Sequence, residues 1–372
     1  MAQIRTMPQT SDPGQCGAIL STDSFGNIFK DICNAGKMAQ MMKAYQFSTP
    51  AKGLEYRELP IPVPAKDQLL VQIKATGLCH TDCNIISGLD NTFFWNRPIT
   101  LGHEIAGVVV GCGPEVSKFA AEDKVVSVIT AKHPVEIGDV VKSPGIGIDG
   151  GFAEYVLLYE SKTLPIPDGV SFAQAAVATD AVATAYHAVA TEGQVQKSSK
   201  VAIIGLGGLG LSAVQIASHR GAKVYGVDLH RRKYPAALMS GAYCCGRSLD
   251  DFPGVKFDVV LDFAGVGITT AGAAKAVKAG GKVVLVGLTK KEATIDTHNF
   301  VALGVHLVGS VGSSMEEVEI ALQMVAKKEI TPAIEEVAFG NLKNELHRLE
   351  RGDTVGRLYA DPSKSVERVV RA

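Results

Sequence analysis

The chain has 372 residues, 37 Lys+Arg against 38 Asp+Glu, and 46% hydrophobic residues; that length calls for two or three domains rather than one core. A formal net charge of −1 with only 20% charged residues argues against a nucleic-acid or acidic-membrane partner and against global disorder. Seven cysteines at scattered spacings make no disulfide framework and point to a reducing, cytoplasmic setting.

Residues 1–41 lack a basic region followed by an apolar stretch, so they are no secretory signal, and Asp12, Asp23 and Asp31 argue against a mitochondrial one. Rich in Ser, Thr, Gly and Pro, they read as a flexible extension, with a folded domain starting at Met42. Short β-type runs at 68–75, 107–110, 124–128 and 152–158 alternate with Gly and Pro, the pattern of an antiparallel, barrel-like domain over 42–190. From residue 191 the texture changes. Runs at 200–204, 223–227, 257–262 and 282–286 are near-continuously apolar and β-branched, with helix-type segments at 209–219, 231–240 and 269–278 between them. Strands buried on both faces and joined by helical crossovers predict a doubly wound parallel sheet over 191–330. Residues 331–372 return to mixed short elements, so the parallel unit reads as inserted into the first domain. The longest apolar run, 201–217, holds four Gly, a Ser and a Gln, which makes it a strand-turn-helix and not a membrane span.

That turn carries G-x-G-x-x-G as Gly205, Gly207 and Gly210, with Gly208 and Leu209 leading into the helix. The first Gly allows the tight turn, the second lets a pyrophosphate approach the backbone, and the third lets helix and strand pack closely. Phosphates would sit at the positive end of the helix dipole. Asp228 lies 18 residues beyond Gly210, where a carboxylate accepts hydrogen bonds from the adenosine ribose and repels a 2′-phosphate, favouring NAD. Arg231 and Arg232 follow closely and are the counter-argument; a glycine turn needed only for packing is the bland alternative.

Three further points stand out: Gly77-Leu-Cys79-His80-Thr81-Asp82, Gly102-His103-Glu104 and Thr179-Asp180. A thiolate, an imidazole and a carboxylate are all zinc ligands, and three protein ligands leave one tetrahedral position open. Spacing alone leaves the ordinary reading open, because a lone Cys is usually a small buried hydrophobe and a lone His a satisfied core residue.

Together with Asp149-Gly-Gly-Phe-Ala-Glu-Tyr-Val and Gly352-Asp-Thr-Val-Gly-Arg, these motifs resemble the medium-chain, zinc-dependent alcohol dehydrogenases, from about residue 42 to the C-terminus. The resemblance implies an α/β chain: a GroES-like, mainly-β catalytic domain (42–190 and 331–372) and a Rossmann coenzyme domain (191–330). It implies one catalytic zinc on Cys79, His103 and Asp180, the last a carboxylate where many relatives have Cys. Glu104 would support or exchange with these ligands, Asp82 would orient the His103 ring, and Thr81 would take the alcohol proton. Thr184 would approach the nicotinamide, His80 and Arg357 the pyrophosphate, and Asp228 with Lys233 the adenosine ribose of NAD. The substrate would be a small alcohol or carbonyl compound, and the chain would form homodimers or homotetramers. Trp95, with Phe93 and Phe94, reads as pocket lining or as ordinary packing.

Two departures matter. No cysteine occurs between Cys112 and Cys244, so the four-cysteine lobe that binds a structural zinc in relatives is expected to be absent. Asn84 stands where many relatives place a His that ends the proton relay, and an amide is no base at neutral pH. A zinc-free reductase of activated double bonds and a non-catalytic NAD-binding protein are the competing readings; Cys79, His103, Asp180 and Thr81 argue against both.

Overall fold

In the computed structural model, which describes residues 40–89 and 97–364, the first strand is Met41–Phe47. The extension up to residue 39 and the Phe93, Phe94 and Trp95 cluster lie outside the described residues. Met41–Phe47 pairs antiparallel with Leu54–Pro60 on one side and Ile99–Thr100 on the other. A larger sheet runs in the order Ile334–Val337, Arg357–Ala360, Gln68–Leu78, Glu104–Cys112, Lys124–Ser127, Thr163–Pro165. Its pairings are antiparallel, apart from the parallel contact of Ile334–Val337 with Arg357–Ala360.

Gln68–Leu78 organises this sheet. Its 11 residues are enough for one edge to take Tyr155–Tyr159 along residues 68–72 and then Arg357–Ala360 along 76–78. The C-terminal segment therefore returns beside the strand that leads into Cys79.

Six strands form the second sheet, all parallel, in the order Cys244–Gly246, Lys223–Val227, Lys200–Ile204, Phe257–Asp262, Val277–Leu285, His306–Gly309. Chain order reverses about Lys200–Ile204, whose neighbours on the two sides are wound in opposite directions. The crevice beyond the carboxyl ends of such strands is where open α/β sheets bind ligands.

Several elements differ from their sequence signals. The fourth strand begins at Val277, not 282, because Gly280 (φ +69°) and Gly281 are accommodated within it, and the helix before it ends at Ala276. The segment 231–240 divides into a 3₁₀ turn, Arg231–Lys233, and a helix, Tyr234–Met239, with Pro at its start, where a missing N–H costs nothing. Residues 172–192 are one helical run with two π-type stretches, Ala178–Val182 and His187–Glu192, rather than part of a β-type region. This run is Ala-rich and buried on nearly all sides. Val182, Ala185 and Val189 share one core with Ala106 and Val126 of the antiparallel sheet and Leu211 and Val214 after the glycine turn.

The segment 129–149 closes on a lysine. Lys162 is 4% exposed; its ammonium donates to the carbonyls of Ile129 (2.7 Å) and Asp139 (2.8 Å) and pairs with Asp139 Oδ1 at 2.6 Å. The Ser143 hydroxyl also donates to Ile129 O. Burial lowers the Lys162 pKa, and the Asp139 carboxylate offsets that in part. Among the described residues, no helix is long and apolar enough to cross a membrane.

Candidate active site

Cys79 is the N-cap of helix His80–Ser87: its sulfur accepts from the Thr81 amide, while the Asp82 carboxylate accepts from the Cys79 amide at 2.9 Å. This reciprocal capping fixes the Cys79 side chain at the helix start and holds Asp82 beneath it. Asp82 is fully buried, and its other oxygen accepts from the Gly102 amide (3.3 Å) and faces His103 Nδ1 at 3.5 Å. The ring nitrogen makes no well-formed hydrogen bond there.

Gly102 has φ +87°, and a Cβ on it would lie 2.5 Å from the Phe152 ring; only glycine can turn the chain so that His103 points inward. Asp180 comes from the first π-type stretch of the buried helical run. Such widened turns are frequent at functional sites.

Cys79, His103 and Asp180 converge with their donor atoms all within 4.8 Å of one another, at exposures of 6%, 3% and 8%. Cys79 Sγ lies 3.5 Å from Asp180 Oδ2, and His103 Nε2 lies 3.8 Å from the same oxygen. Tetrahedral zinc with bonds of ~2.3 Å to sulfur and ~2.0 Å to oxygen puts those two donors about 3.5 Å apart, so the thiol and carboxylate fit; imidazole and carboxylate, expected about 3.3 Å apart, sit slightly wider. Thr81 Oγ1 is 3.5 Å from Cys79 Sγ, and Thr184 Oγ1 donates to Asp180 Oδ1 at 2.8 Å.

Arg357 completes the cluster. Its guanidinium donates to both oxygens of Glu104, with Nε at 2.9 and 3.1 Å, and Nη2 reaches Asp180 Oδ2 as well. The resemblance directed this side chain to a pyrophosphate; here its head lies on two buried carboxylates, while its stem passes 3.1 Å from where a Gly208 Cβ would be. Burial raises the Glu104 pKa, offset only in part by Arg357. Burial would also raise Asp180, but its close contact with His103 and the Arg357 charge outweigh that and hold it well below the usual carboxylate range. For His103, burial is outweighed by the nearby Asp82 and Asp180 carboxylates, leaving its pKa raised.

The glycine turn lies beyond Lys200–Ile204. Gly205 has φ +90°, and a Cβ at Gly210 would lie 1.8 Å from Gly205 O. A Cβ at Gly207 would meet nothing within 4 Å. The space beside Gly207 is open, at the N-terminus of the 12-residue helix Gly208–His219, which includes Leu209. Asp228 accepts from the Leu206 amide (2.8 Å), the His230 amide (2.8 Å) and Lys233 Nζ (3.1 Å). Arg232 is tied to Gly352 O (2.7 Å) and Asp353 (2.8 Å). The His80 ring keeps contact with solvent, yet the protein crowding it, then the Arg357 and Lys233 cations, lowers its pKa to about 4.

Residues 65–168 match the model of the alcohol dehydrogenase GroES-like domain, and residues 208–327 that of the zinc-binding dehydrogenases. The chain is 30% identical over 336 residues to an alcohol dehydrogenase of Geobacillus stearothermophilus, covering 85% of this chain and 98% of that one. The chain belongs to the medium-chain, zinc-type alcohol dehydrogenase family. It is also 29% identical over 348 residues to an NAD-dependent alcohol dehydrogenase of Sulfurisphaera tokodaii, covering 85% of this chain and 99% of the relative. Among solved structures, acetophenone reductase from Geotrichum candidum in complex with NAD superposes with a TM-score of 0.81 at 30% identity, covering 89% of this chain and all of that one. The expected family fold, GroES-like plus Rossmann, is present, and the protein is an oxidoreductase of this family.

Of the residues singled out from the sequence, Cys79, Thr81, Asp82, His103, Glu104, Asp180, Thr184 and Arg357 meet in one buried cluster. Gly205, Gly207, Gly208, Leu209, Gly210, Asp228 and Lys233 form the turn and strand end of the parallel sheet. Trp95 lies outside the described residues. The direct hold of Arg357 on Asp180 had no sequence signal, since the two stand 177 positions apart.

Proposed function

We propose that this chain is a zinc-dependent, NAD-linked alcohol dehydrogenase that interconverts a primary or secondary alcohol with its aldehyde or ketone. The observation that carries the reading is the convergence of Cys79, His103 and Asp180 beside Thr81, linked through Arg357 to the glycine turn. Cys79, His103 and Asp180 would hold the metal. When bound, zinc supplies Lewis acidity toward an alcohol oxygen, and the nicotinamide supplies a hydride acceptor. Thr81 Oγ1, anchored over Cys79, receives the alcohol proton. Asp82, facing His103 Nδ1 at 3.5 Å, would orient the ring once the other nitrogen holds a metal, the usual service of a carboxylate behind a metal-binding His. Thr184, held by Asp180, would border the nicotinamide.

Gly207 leaves room for the pyrophosphate, with His80 and the stem of Arg357 nearby. Asp228, steadied by Lys233, would accept from the ribose hydroxyls. Arg232 is occupied by Gly352 and Asp353, which supports NAD over NADP. Asn84, an amide, cannot relay the proton onward, so the proton taken by Thr81 would have to leave by a route that does not use this side chain.

We assign residues 42–190 and 331–372 to the catalytic domain and 191–330 to the coenzyme domain, with 1–41 as an extension. We also expect a cytoplasmic homodimer or homotetramer. The exposed edge strand His306–Gly309, with Leu307 and Val311 open to solvent, supports self-association.

The test is metal analysis joined to activity. Cys79→Ala should lose one zinc equivalent relative to wild type and lose alcohol-dependent NADH formation. Equal zinc in both proteins, with NAD(P)H-dependent reduction of activated double bonds, would sink the proposal.

A further inference from the structure

A second group of metal-ligating side chains lies apart from the active site. His133, in the segment 129–149, His187, in the second π-type stretch, and Glu317, in helix Met315–Ala326, bring their ligand atoms within 4.8 Å of one another. His187 is 2% exposed and Glu317 8%. His187 Nδ1 lies 2.9 Å from both Glu317 oxygens, and the His133 and His187 rings stack with centroids 4.0 Å apart.

Three features make this more than a buried ion pair. His133 Nε2 is buried without a hydrogen-bond partner, an arrangement that costs ~1–3 kcal/mol unless something fills it. Glu317 is held from behind: Thr191 Oγ1 donates to Oε1 at 2.5 Å and the Ser314 amide to Oε2 at 2.8 Å, which turns the other side of both oxygens toward His187 Nδ1. His187 Nε2 faces Glu192 at 3.4 Å, so the ring has a carboxylate behind one nitrogen while the other faces the cluster. That is how metal-binding imidazoles are oriented.

We propose that His133, His187 and Glu317 bind a borderline divalent cation, zinc or an ion of similar preference, as a structural site. Two imidazoles and one carboxylate suit zinc, cobalt and nickel and leave the fourth position to water. His187 Nδ1 and Glu317 are hydrogen-bonded at 2.9 Å, and a widening of about 0.4 Å would bring them to the ~3.3 Å spacing of tetrahedral N and O ligands; His133, the partly exposed member, closes the triangle. The lack of cysteines between Cys112 and Cys244 argues against a thiolate structural site and is silent on this donor set. The ion would join three segments already in contact, since Thr130 Oγ1 donates to Ser313 O and the Met315 amide to Ala131 O.

The experiment counts zinc per chain by mass spectrometry in the full-length protein after dialysis against zinc. His133→Phe keeps a ring to stack on His187 and removes the donor. It should lose one zinc equivalent; Cys79→Ala should lose a different one, and the double variant both. Added zinc should raise the Tm of Cys79→Ala but not that of the double variant. Equal zinc in wild type and His133→Phe, or the same Tm response with and without His133, overturns the proposal. Should His133→Phe fail to fold, Glu317→Gln still accepts from Ser314 or Thr191; it should weaken zinc binding at this site at least 10-fold, and unchanged affinity is again a refutation.

Discussion

Lys162→Met tests what holds the segment 129–149 together. The substitution keeps an unbranched, buried stem and removes the ammonium. Two carbonyls then compete for the Ser143 hydroxyl, which can donate to Ile129 O or to Asp139 O, 3.2 Å away, but not to both. A buried acceptor left unsatisfied costs ~1–3 kcal/mol. The Asp139 carboxylate also loses its partner, which in a fully buried pair costs ~3–5 kcal/mol. That figure is reduced here because the Asp139 side chain is 19% exposed and water can reach it, and removing the buried charge relieves the lysine's own desolvation. The balance is about 3 kcal/mol, confined to this segment. Unfolding of a protein this size is not two-state, so the assay is amide hydrogen exchange, which reads local opening. At ~1.36 kcal/mol per decade, exchange across 129–143 should accelerate roughly 100-fold, with the parallel sheet unchanged. Acceleration below about 5-fold would refute the view that Lys162 is the staple. Asp139→Asn, which retains an acceptor for the Ala131 amide, should produce a smaller local effect and non-additive behaviour with Lys162→Met.

Other predictions follow from the glycines and the metal. In Gly77→Ala the new Cβ would lie 1.7 Å from Glu104 Oε2, displacing Glu104 from Arg357; steady-state kinetics should show kcat/KM falling at least ~100-fold, beyond a 1 Å misplacement of supporting groups. Gly207→Ala should leave Tm unchanged, because its Cβ meets nothing within 4 Å, and weaken NAD binding at least ~10-fold by intruding on the pyrophosphate. Gly210→Ala is the converse: its Cβ would strike Gly205 O at 1.8 Å, so thermal melting should show lost stability before coenzyme binding is at issue. Asp228→Asn should raise the KM for NAD and narrow its preference over NADP, read from the ratio of kcat/KM values. A chelator should abolish alcohol oxidation, and zinc should restore it.

How much was legible in the sequence depended on where the chemistry sat. The glycine turn and Asp228 are close in the chain, and their spacing carries geometry directly. Cys79, His103 and Asp180 were named by residue type and motif order, although nothing in their spacing brings them together. The run 172–192 resisted reading because it is alanine-rich and buried on nearly all sides, its polar residues included, so no 3.6-residue period marks it. Arg357 was assigned from its motif, but its hold on Glu104 joins residues 253 apart, beyond any local pattern. Lys162 and the His133–His187–Glu317 group were invisible for the same reason: a buried lysine or histidine reads as an ordinary polar residue until tertiary structure shows what surrounds it.

The arrangement around Arg357 has a consequence in charge balance. Asp82, Glu104 and Asp180 bring three carboxylates into a region from which water is nearly excluded, and one guanidinium sits among them. Full ionisation of all three with His103 neutral would leave two net negative charges; burial instead raises the Glu104 pKa, and the carboxylates around His103 raise that of the ring, so protons balance the cluster. Unbalanced charge in so dry a place is costly, and no further lysine or arginine bonds to these carboxylates among the described residues. A divalent cation held by Cys79, His103 and Asp180 would take over that balancing role, so its binding should release protons from the cluster.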